Sequence, residues 1–325
     1  MVPEQAAPTD VGLSVVIPVY NEVESLRPLY DQLAPVLATL PFASEVVFVD
    51  DGSTDGSFAV VEALHQADPR IRGVRFRRNY RKAAALSAGF REARGRIVIT
   101  MDADLQDDPQ EIPHLLAALE PDHDLISGWK RRRHDPLSKT LPSKVWNRVT
   151  SAVAGIRLHD FNCGLKAYRR EVTQDVLPYL YGELYRYLPA MAHWLGYRVG
   201  EVVVLHHPRR YGYSKFGARR LLSGFLDLLS ITFVMRFMTR PMHVFGALGV
   251  VAAGIGSVIA LYIASLRLRF GDIQNRHPLL MLAVLLLVVG VQFISTGLIG
   301  DMLASANQQG GHVPPVERRV GAPRD

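Results

Sequence analysis

Two acidic stretches in this chain combine residue types and spacings that could do chemistry. Asp102, Asp104 and Gln106 alternate along Met101-Asp-Ala-Asp-Leu-Gln106. In an extended segment, residues two apart point to the same side. The spacing therefore predicts two carboxylates and an amide oxygen facing together. Such hard oxygen donors suit Mg2+ or Mn2+, and sites of this kind leave positions open for substrate phosphates. A calcium-binding EF-hand loop is excluded, because its sixth position lacks glycine and Pro113 falls on its twelfth. The second stretch holds Asp50 and Asp51 ahead of Gly52. One carboxylate there can accept a hydrogen bond from a base or ribose, or close a turn with Gly52. Basic residues cluster at Arg75, Arg77, Arg78, Arg81 and Lys82, at Lys130 to Arg133, at Lys139 and Lys144, and at Arg209, Arg210 and Lys215. Arginine and lysine both clamp phosphates, so Lys82, Lys130 and Arg131 join Asp50 and Asp51 as candidate substrate contacts.

The elements that must position these residues alternate in type. Strands are expected at Leu13–Pro18, Glu45–Asp50, Gly73–Phe76, Arg96–Met101, Asp124–Ser127 and Val199–Leu205. Helices are expected from Glu22 to Leu40, from about Asp55, and over Lys82–Ala93 and Pro109–Leu119. Leu26, Leu29, Tyr30, Leu33 and Leu37 fall on one face of the first helix. Ser53, Thr54 and Asp55 are all able to cap the second. This β-α-β-α order implies a mostly parallel, Rossmann-like α/β sheet with helices on both faces. Ligands in such sheets bind beyond the carboxyl ends of the strands, which is where both acidic stretches lie. No dinucleotide-type glycine fingerprint or P-loop accompanies them.

The bulk numbers agree with an anionic partner. The chain has 325 residues and a formal net charge of +6, which suits a membrane face, a phosphorylated substrate or nucleic acid. No nucleic-acid module or aromatic interleaving is present, so DNA and RNA are set aside. The single cysteine, Cys163, excludes an intramolecular disulfide and reads as a small buried residue. Residues 1–12 are polar and contain no apolar leader core, so they are expected to be disordered and the domain that follows to stay in the cytosol.

Apolar residues concentrate near the C-terminus. Met242 to Leu266 is a run of 25 residues without a formal charge. As a helix it would reach roughly 37 Å, enough to cross a hydrocarbon core of about 30 Å. Pro278 to Gly300 is a second such run, and the two imply a multi-pass membrane protein. Upstream, Leu221, Leu222, Phe225, Leu226, Leu229, Phe233 and Phe237 recur at helical steps among Arg219, Arg220 and Arg236. That pattern suits helices lying in the bilayer interface. The expected organisation is a catalytic domain over 13–218, juxtamembrane helices over 219–240, a two-helix hairpin over 241–303 and a disordered cytoplasmic tail over 304–325. Arginine is divided between the two sides, with Arg236 and Arg240 before the first run and Arg267, Arg269 and Arg276 between the runs. The positive-inside rule therefore gives mixed support to any orientation.

Several of these stretches together resemble a known family. Ser14-Val-Val-Ile-Pro-Val-Tyr-Asn-Glu22, Val49-Asp-Asp-Gly-Ser-Thr-Asp-Gly-Ser57 and Met101-Asp-Ala-Asp-Leu-Gln106 resemble glycosyltransferase family 2, of the GT-A fold. Asp160-Phe-Asn-Cys-Gly-Leu-Lys-Ala-Tyr-Arg169 and Arg209-Arg-Tyr-Gly-Tyr-Ser-Lys215 are similar to the polyisoprenyl-phosphate branch, which includes dolichol-phosphate mannose synthases and undecaprenyl-phosphate glucosyl and aminoarabinose transferases. The tail, with Leu268-Arg-Phe-Gly271 and Gly297-Leu-Ile-Gly-Asp301, looks most like the bacterial undecaprenyl-phosphate enzymes.

The resemblance implies a sugar transfer from a nucleotide-sugar to a polyisoprenyl phosphate, with inversion, on the cytoplasmic face of the inner membrane of the cell envelope. UDP-sugars are favoured over GDP-mannose, and the sugar itself is left open. It places Pro18, Tyr20, Glu22 and Asp50 around the nucleoside. Asp102 and Asp104 serve donor and metal, and Gln106 completes the metal shell. Lys130 and Lys139 stand where relatives hold the acceptor phosphate with arginines. Arg209, Ser214 and Lys215 lie on the loop that closes over the donor phosphates, and Asp160 orients the acceptor or a basic residue. A homotetramer is implied too. One departure is Arg81, which stands where the family usually has glycine. The rival readings are a scaffold with a decayed transferase domain, a nucleotidyltransferase and a processive polysaccharide synthase. The last would carry a Gln-x-x-Arg-Trp motif, which Trp129, Trp146 and Trp194 do not provide.

Overall fold

The computed structural model of the chain describes residues 11–120, 122–131, 147–208, 241–271, 273, 275–307 and 316–320. They divide into two units. One combines Met1–Leu228 with His312–Asp325, and the other is Leu229–Gly311.

The first unit alternates strands and helices: β1 (Val11–Val19), α1 (Val23–Ala38), β2 (Ala43–Asp50), α2 (Ser57–Ala67), β3 (Ile71–Phe76), α3 (Lys82–Glu92), β4 (Ile97–Thr100), α4 (Ile112–Leu119) and β5 (Leu125–Trp129). It continues through β6 (Lys166–Arg169), α5 (Arg170–Val176), α6 (Leu188–Trp194) and β7 (Val199–Val203), and gains β8 (Val316–Val320) from the end of the chain. The strands stand in the order β7-β5-β6-β4-β1-β2-β3-β8. β1 runs parallel to β2 and β4, and β2 parallel to β3. A central parallel strand is covered on both faces, which is why β1 and β2 read as continuous apolar runs. Leu13, Val15, Ile17, Val46 and Phe48 meet Leu26, Leu29 and Leu33 of α1 in one core.

After β3 the chain crosses back to place β4 on the far side of β1. The carboxyl ends of β1, β2 and β4 therefore converge on a switch point, the position where such sheets bind ligands. β6, which the apolar pattern does not reveal, runs antiparallel to β4 and pairs Lys166 with Thr100. Its first residue thus arrives at the edge where β4 ends.

The cap of α2 is Gly56, in place of the expected side chain, and Asp55 just before it accepts from Ser57 N at 2.9 Å. The disordered tail expected over 304–325 needs correction. The last helix continues to Asn307 and β8 pairs antiparallel with β3, Val74 opposite Arg319. An uncovered β3 would present a row of unpaired backbone groups, and a short strand with charged residues at its centre suits such an edge. The juxtamembrane helices expected over 219–240 lie outside the described residues.

The second unit holds α7 (Pro241–Phe270) and α8 (His277–Asn307). Val244–Phe270 and His277–Gly300 within them are long and apolar enough to cross a membrane, and most of their surface is exposed. The helices approach closely where small residues meet: a Cβ added at Gly249 would fall 2.6 Å from the Gly290 carbonyl oxygen. Small residues of this kind let helix backbones pack in lipid. The chain is a membrane protein.

Arg81, ahead of α3, has φ 73° and ψ 168°, a region that side chains other than glycine enter at a cost of about 1–3 kcal/mol. The backbone thus keeps a glycine conformation although the residue is arginine. Its only ion pair among the described residues is a 4.0 Å contact with Glu183 on an exposed side chain, which adds little. Arg81→Gly should relieve the strain, offset in part by unfolded-state entropy, for a net gain of about 1 kcal/mol. Thermal melting of the detergent-solubilised protein checks this; a lower melting temperature for the variant contradicts it.

Candidate active site

The loops after β1 and β2 are laced together. Asn21, at φ 54°, donates its N–H to Ser53 Oγ at 2.9 Å and accepts at Oδ1 from Thr54 N at 2.9 Å. Glu22 N donates to Ser57 Oγ at 3.0 Å, and Ser25 Oγ donates to the Glu22 carboxylate at 3.1 Å. Tyr20 is exposed beside this lacing, and Pro18 lines a pocket that reaches across to Asp102.

The two aspartates ending β2 divide their work. Asp50 is fully buried, accepts from Ser53 N at 2.9 Å and faces Arg75 Nε at 3.5 Å. Burial pushes its carboxyl above the usual aspartate range. Asp51 turns the other way and accepts from Tyr80 N at 2.6 Å and from the Arg81 backbone. Its side chain therefore holds the approach to α3, and it acts on the site through the backbone of that turn.

Asp102 follows β4 and pairs with Lys82, the first residue of α3. Burial works against both charges, but each is outweighed by its partner. The Asp102 carboxyl lies below its ordinary value and the Lys82 ammonium above it. On its other side Asp102 presses on Gly164, where a Cβ would sit 2.5 Å from Oδ2. Only glycine leaves that carboxylate its space.

The segment after Asp102 is a turn, which corrects the extended reading. Leu105 adopts φ 60°, and Asp104 Oδ1 accepts from Gln106 N at 3.3 Å. An aspartate that bonds the backbone two residues on competes with extended structure, and here it curls the loop. The Gln106 amide reaches the His207 carbonyl at 3.5 Å. Asp102, Asp104 and Gln106 thus share one loop that is curled and not extended.

Asp107 is a residue that the motif reading missed. It is buried, pairs with Lys130 Nζ at 2.8 Å and accepts from Asp102 N at 3.4 Å. Burial alone would lower the Lys130 ammonium, but Asp107 outweighs it and raises it. The only sequence signal was that Asp107 belongs to the same acidic run. The stretch after β7 docks on this loop as well. His207 N donates to Gln106 O at 2.9 Å, and the His207 ring meets Asp108 Oδ2 at 2.9 Å. Two residues later comes Arg209. Arg209, Ser214, Lys215 and Lys139 lie outside the described residues. Arg131 stands over the Trp129 ring at 5.9 Å. Asp160 is buried and accepts from Asn162 N at 3.0 Å on the approach to Gly164. Cys163 is buried, and burial pushes its thiol up to about 12, so it is inert.

Among the described residues, no three Asp, Glu, His or Cys side chains converge as a metal cluster. A cation would be held by two carboxylates and an amide. The donor set still fits a hard divalent ion. Asp102, Asp104, Asp107 and Asp108 lie in one loop, where Asp102 pairs with Lys82, Asp107 with Lys130 and Asp108 with the His207 ring.

The glycosyl transferase family 2 pattern matches residues 14–177, the stretch that holds this geometry. The chain belongs to that family. It is a glycosyltransferase, 38% identical over 300 residues to the dodecaprenyl-phosphate galacturonate synthase of Rhizobium johnstonii, covering 90% of this chain and 87% of that one. It is 36% identical over 293 residues to an undecaprenyl-phosphate 4-deoxy-4-formamido-L-arabinose transferase of Pseudomonas fluorescens, covering 90% and 84%. The glucosyl-3-phosphoglycerate synthase of Mycobacterium tuberculosis shares the fold of the glycosyltransferase at a TM-score of 0.50 and 20% identity, over 68% of this chain and 80% of that chain.

Two outcomes follow for stability. Burial pushes the Asp51 carboxyl up to about 6, partly countered by the N–H groups of Tyr80 and Arg81. An unfolded aspartate titrates near ~3.9. Between those values the folded chain holds a proton that the unfolded chain has released, so stability falls as pH rises. Asp51→Asn keeps an acceptor for the backbone and removes the charge. Its melting temperature should exceed that of the parent at pH 7 and converge with it near pH 4; a variant less stable at pH 7 contradicts this. Separately, Asp107→Ala strands a buried ammonium and should cost about 3 kcal/mol in a denaturant titration, while Asp107→Leu with Lys130→Met should cost less. Equal losses in the two would mean that the pair is not coupled.

Proposed function

We propose that the chain transfers a sugar from a nucleotide-sugar, a UDP-sugar in preference to GDP-mannose, to a polyisoprenyl phosphate of the undecaprenyl type. The transfer inverts the anomeric carbon and takes place on the cytoplasmic face of the inner membrane. The observation that carries this reading is one chain that joins an acidic loop at the sheet's switch point to two helices of membrane-spanning length. The relatives named for dodecaprenyl and undecaprenyl phosphate match 90% of the chain.

The nucleoside would sit between the loops after β1 and β2, against Pro18, Tyr20, Glu22 and Asp50. Its diphosphate would lie along the loop after β4. A divalent cation, Mg2+ or Mn2+, held by Asp102, Asp104 and Gln106 would supply positive charge to that diphosphate. The Mycobacterium tuberculosis synthase, for comparison, was solved with Mn2+ and UDP-glucose.

The acceptor needs no strong base, because a phosphate monoester has a second pKa of about 6 and is already a nucleophile. An oxygen of that phosphate forms a bond to the anomeric carbon as the bond from that carbon to the diphosphate breaks. The nucleoside diphosphate leaves with the electron pair. Lys82, Arg209 and Lys215 would stabilise the charge that grows on it. Lys130, held by Asp107, and Lys139 would orient the incoming phosphate. Asp160 would act through the turn that leads to Gly164, as a positioning residue.

Membranes containing the protein are incubated with polyisoprenyl phosphate and a panel of nucleotide-sugars, and the lipid is read by mass spectrometry. A lipid-linked monosaccharide is expected. Asp104→Ala and EDTA should each abolish it, with the variant still folded and membrane-bound. Full activity under either condition removes the cation from the mechanism, and released pyrophosphate in place of a sugar-lipid identifies a nucleotidyltransferase.

A further inference from the structure

Helix α8 carries two seams on opposite sides. Ala283, Gly290 and Gly297 recur every seven residues and are buried. They face α7: a Cβ added at Gly290 would lie 2.8 Å from Ala253, and one at Gly297 3.1 Å from the Met242 sulfur. On the other side Leu285, Val288, Gln292, Ser295, Ile299 and Met302 recur at alternating steps of three and four. All six are exposed, the four apolar ones by more than half. Such a repeat averages about 3.5 residues per turn, the period of a helix that winds left-handed around a partner helix. Lipid asks for no period, since any apolar side chain serves it.

Gln292 is the residue that lipid does not explain. It lies fifteen residues after His277 and eight before Gly300, the bounds of the apolar span. Its distances from the two ends are therefore about 22 Å and about 12 Å, a depth inside a hydrocarbon core of about 30 Å. A side-chain amide there has two donors and an acceptor to satisfy and no water to satisfy them. Among the described residues the side-chain hydrogen bond at this position runs from the Thr296 hydroxyl to the Gln292 backbone carbonyl, at 2.8 Å. The amide itself bonds to none of them.

We propose that α8 pairs in the bilayer with α8 of a second copy of this chain, along the outward seam. Copies inserted with one topology carry α8 in the same direction, so the two seams meet in parallel and in register. Gln292 then faces its own counterpart. A glutamine amide is both donor and acceptor, so two of them satisfy each other, and polar side chains do hydrogen-bond across helices in membranes. The family resemblance implies copies but no contact between them; the outward seam supplies one from the structure. The pairing needs only the two spans and not the reaction, so a failed sugar transfer would leave it standing.

The full chain, labelled with donor or acceptor fluorophores, is reconstituted in phosphatidylcholine vesicles and diluted with lipid. Energy transfer above the level of random proximity is expected. Gln292→Leu should weaken the association roughly threefold or more, and Gln292→Asn, which keeps an amide, should weaken it less. Leucine suits lipid better than glutamine, so the first variant inserts at least as well as the parent. Oxidative crosslinking then reads the face. Val288→Cys and Ile299→Cys should form dimers, and Leu282→Cys, exposed on the flank of α8, should not. The parent, whose Cys163 is buried, gives the blank. A monomer at every dilution, an association untouched by Gln292→Leu, or dimers formed equally from Leu282→Cys overturns the proposal. If a short polyisoprenyl phosphate abolishes the Val288→Cys dimer and Gln292→Leu leaves the association unchanged, the seam belongs to the lipid acceptor and the proposal fails.

Discussion

The Asp102 carboxylate sits where three separate parts of the chain must agree. β4 delivers it to the carboxyl edge of the sheet, Lys82 at the start of α3 neutralises it, and Gly164 makes room for it. The position of Lys82 depends in turn on a longer chain of contacts. The end of β2 supplies Asp51, whose carboxylate holds the backbone at Tyr80 and Arg81. That turn fixes Arg81 in a glycine-like conformation, and α3 begins at the next residue. Strain at Arg81 and burial at Asp51 are thus local costs that serve the placement of one ammonium group. Strained backbone and buried charge tend to concentrate where a structure has been shaped for a ligand.

Charge is sorted along the same edge. The loop from Asp102 to Asp108 carries an excess of carboxylate. The pocket on its β6 side is lined by Lys82, Lys166 and Arg186 beside Asp102. The stretch after β7 closes against the acidic loop through His206 and His207, which bond to Gln106 and Asp108. The segment that continues to Arg209 and Lys215 therefore starts from a fixed anchor on the site.

Much of the fold was legible because burial on both faces leaves an unmistakable mark. β1, β2 and β4 are apolar runs, the last two leading into Asp50 and Asp102, and the alternation with amphipathic helices implies the parallel sheet. β6 escaped because it has four residues, begins with lysine and pairs antiparallel, so it carries no apolar run. β8 escaped because its partner edge lies more than two hundred residues away in sequence. In the site, residue identity was legible and local shape was not. Asp104 bonds to its own backbone and curls a segment whose spacing alone reads as extended. Asp107 could not be paired with Lys130 from the sequence, since only the fold brings the loop after β4 against the end of β5.

The central claim is that a nucleotide's diphosphate lies along the loop after β4. A structure of the full chain soaked with UDP and Mn2+, read for the anomalous signal of manganese, tests it most directly. The account predicts one manganese peak at Asp102, Asp104 and Gln106, with the uracil between the loops after β1 and β2. Manganese bound elsewhere, or a diphosphate seated away from Asp102, would contradict it.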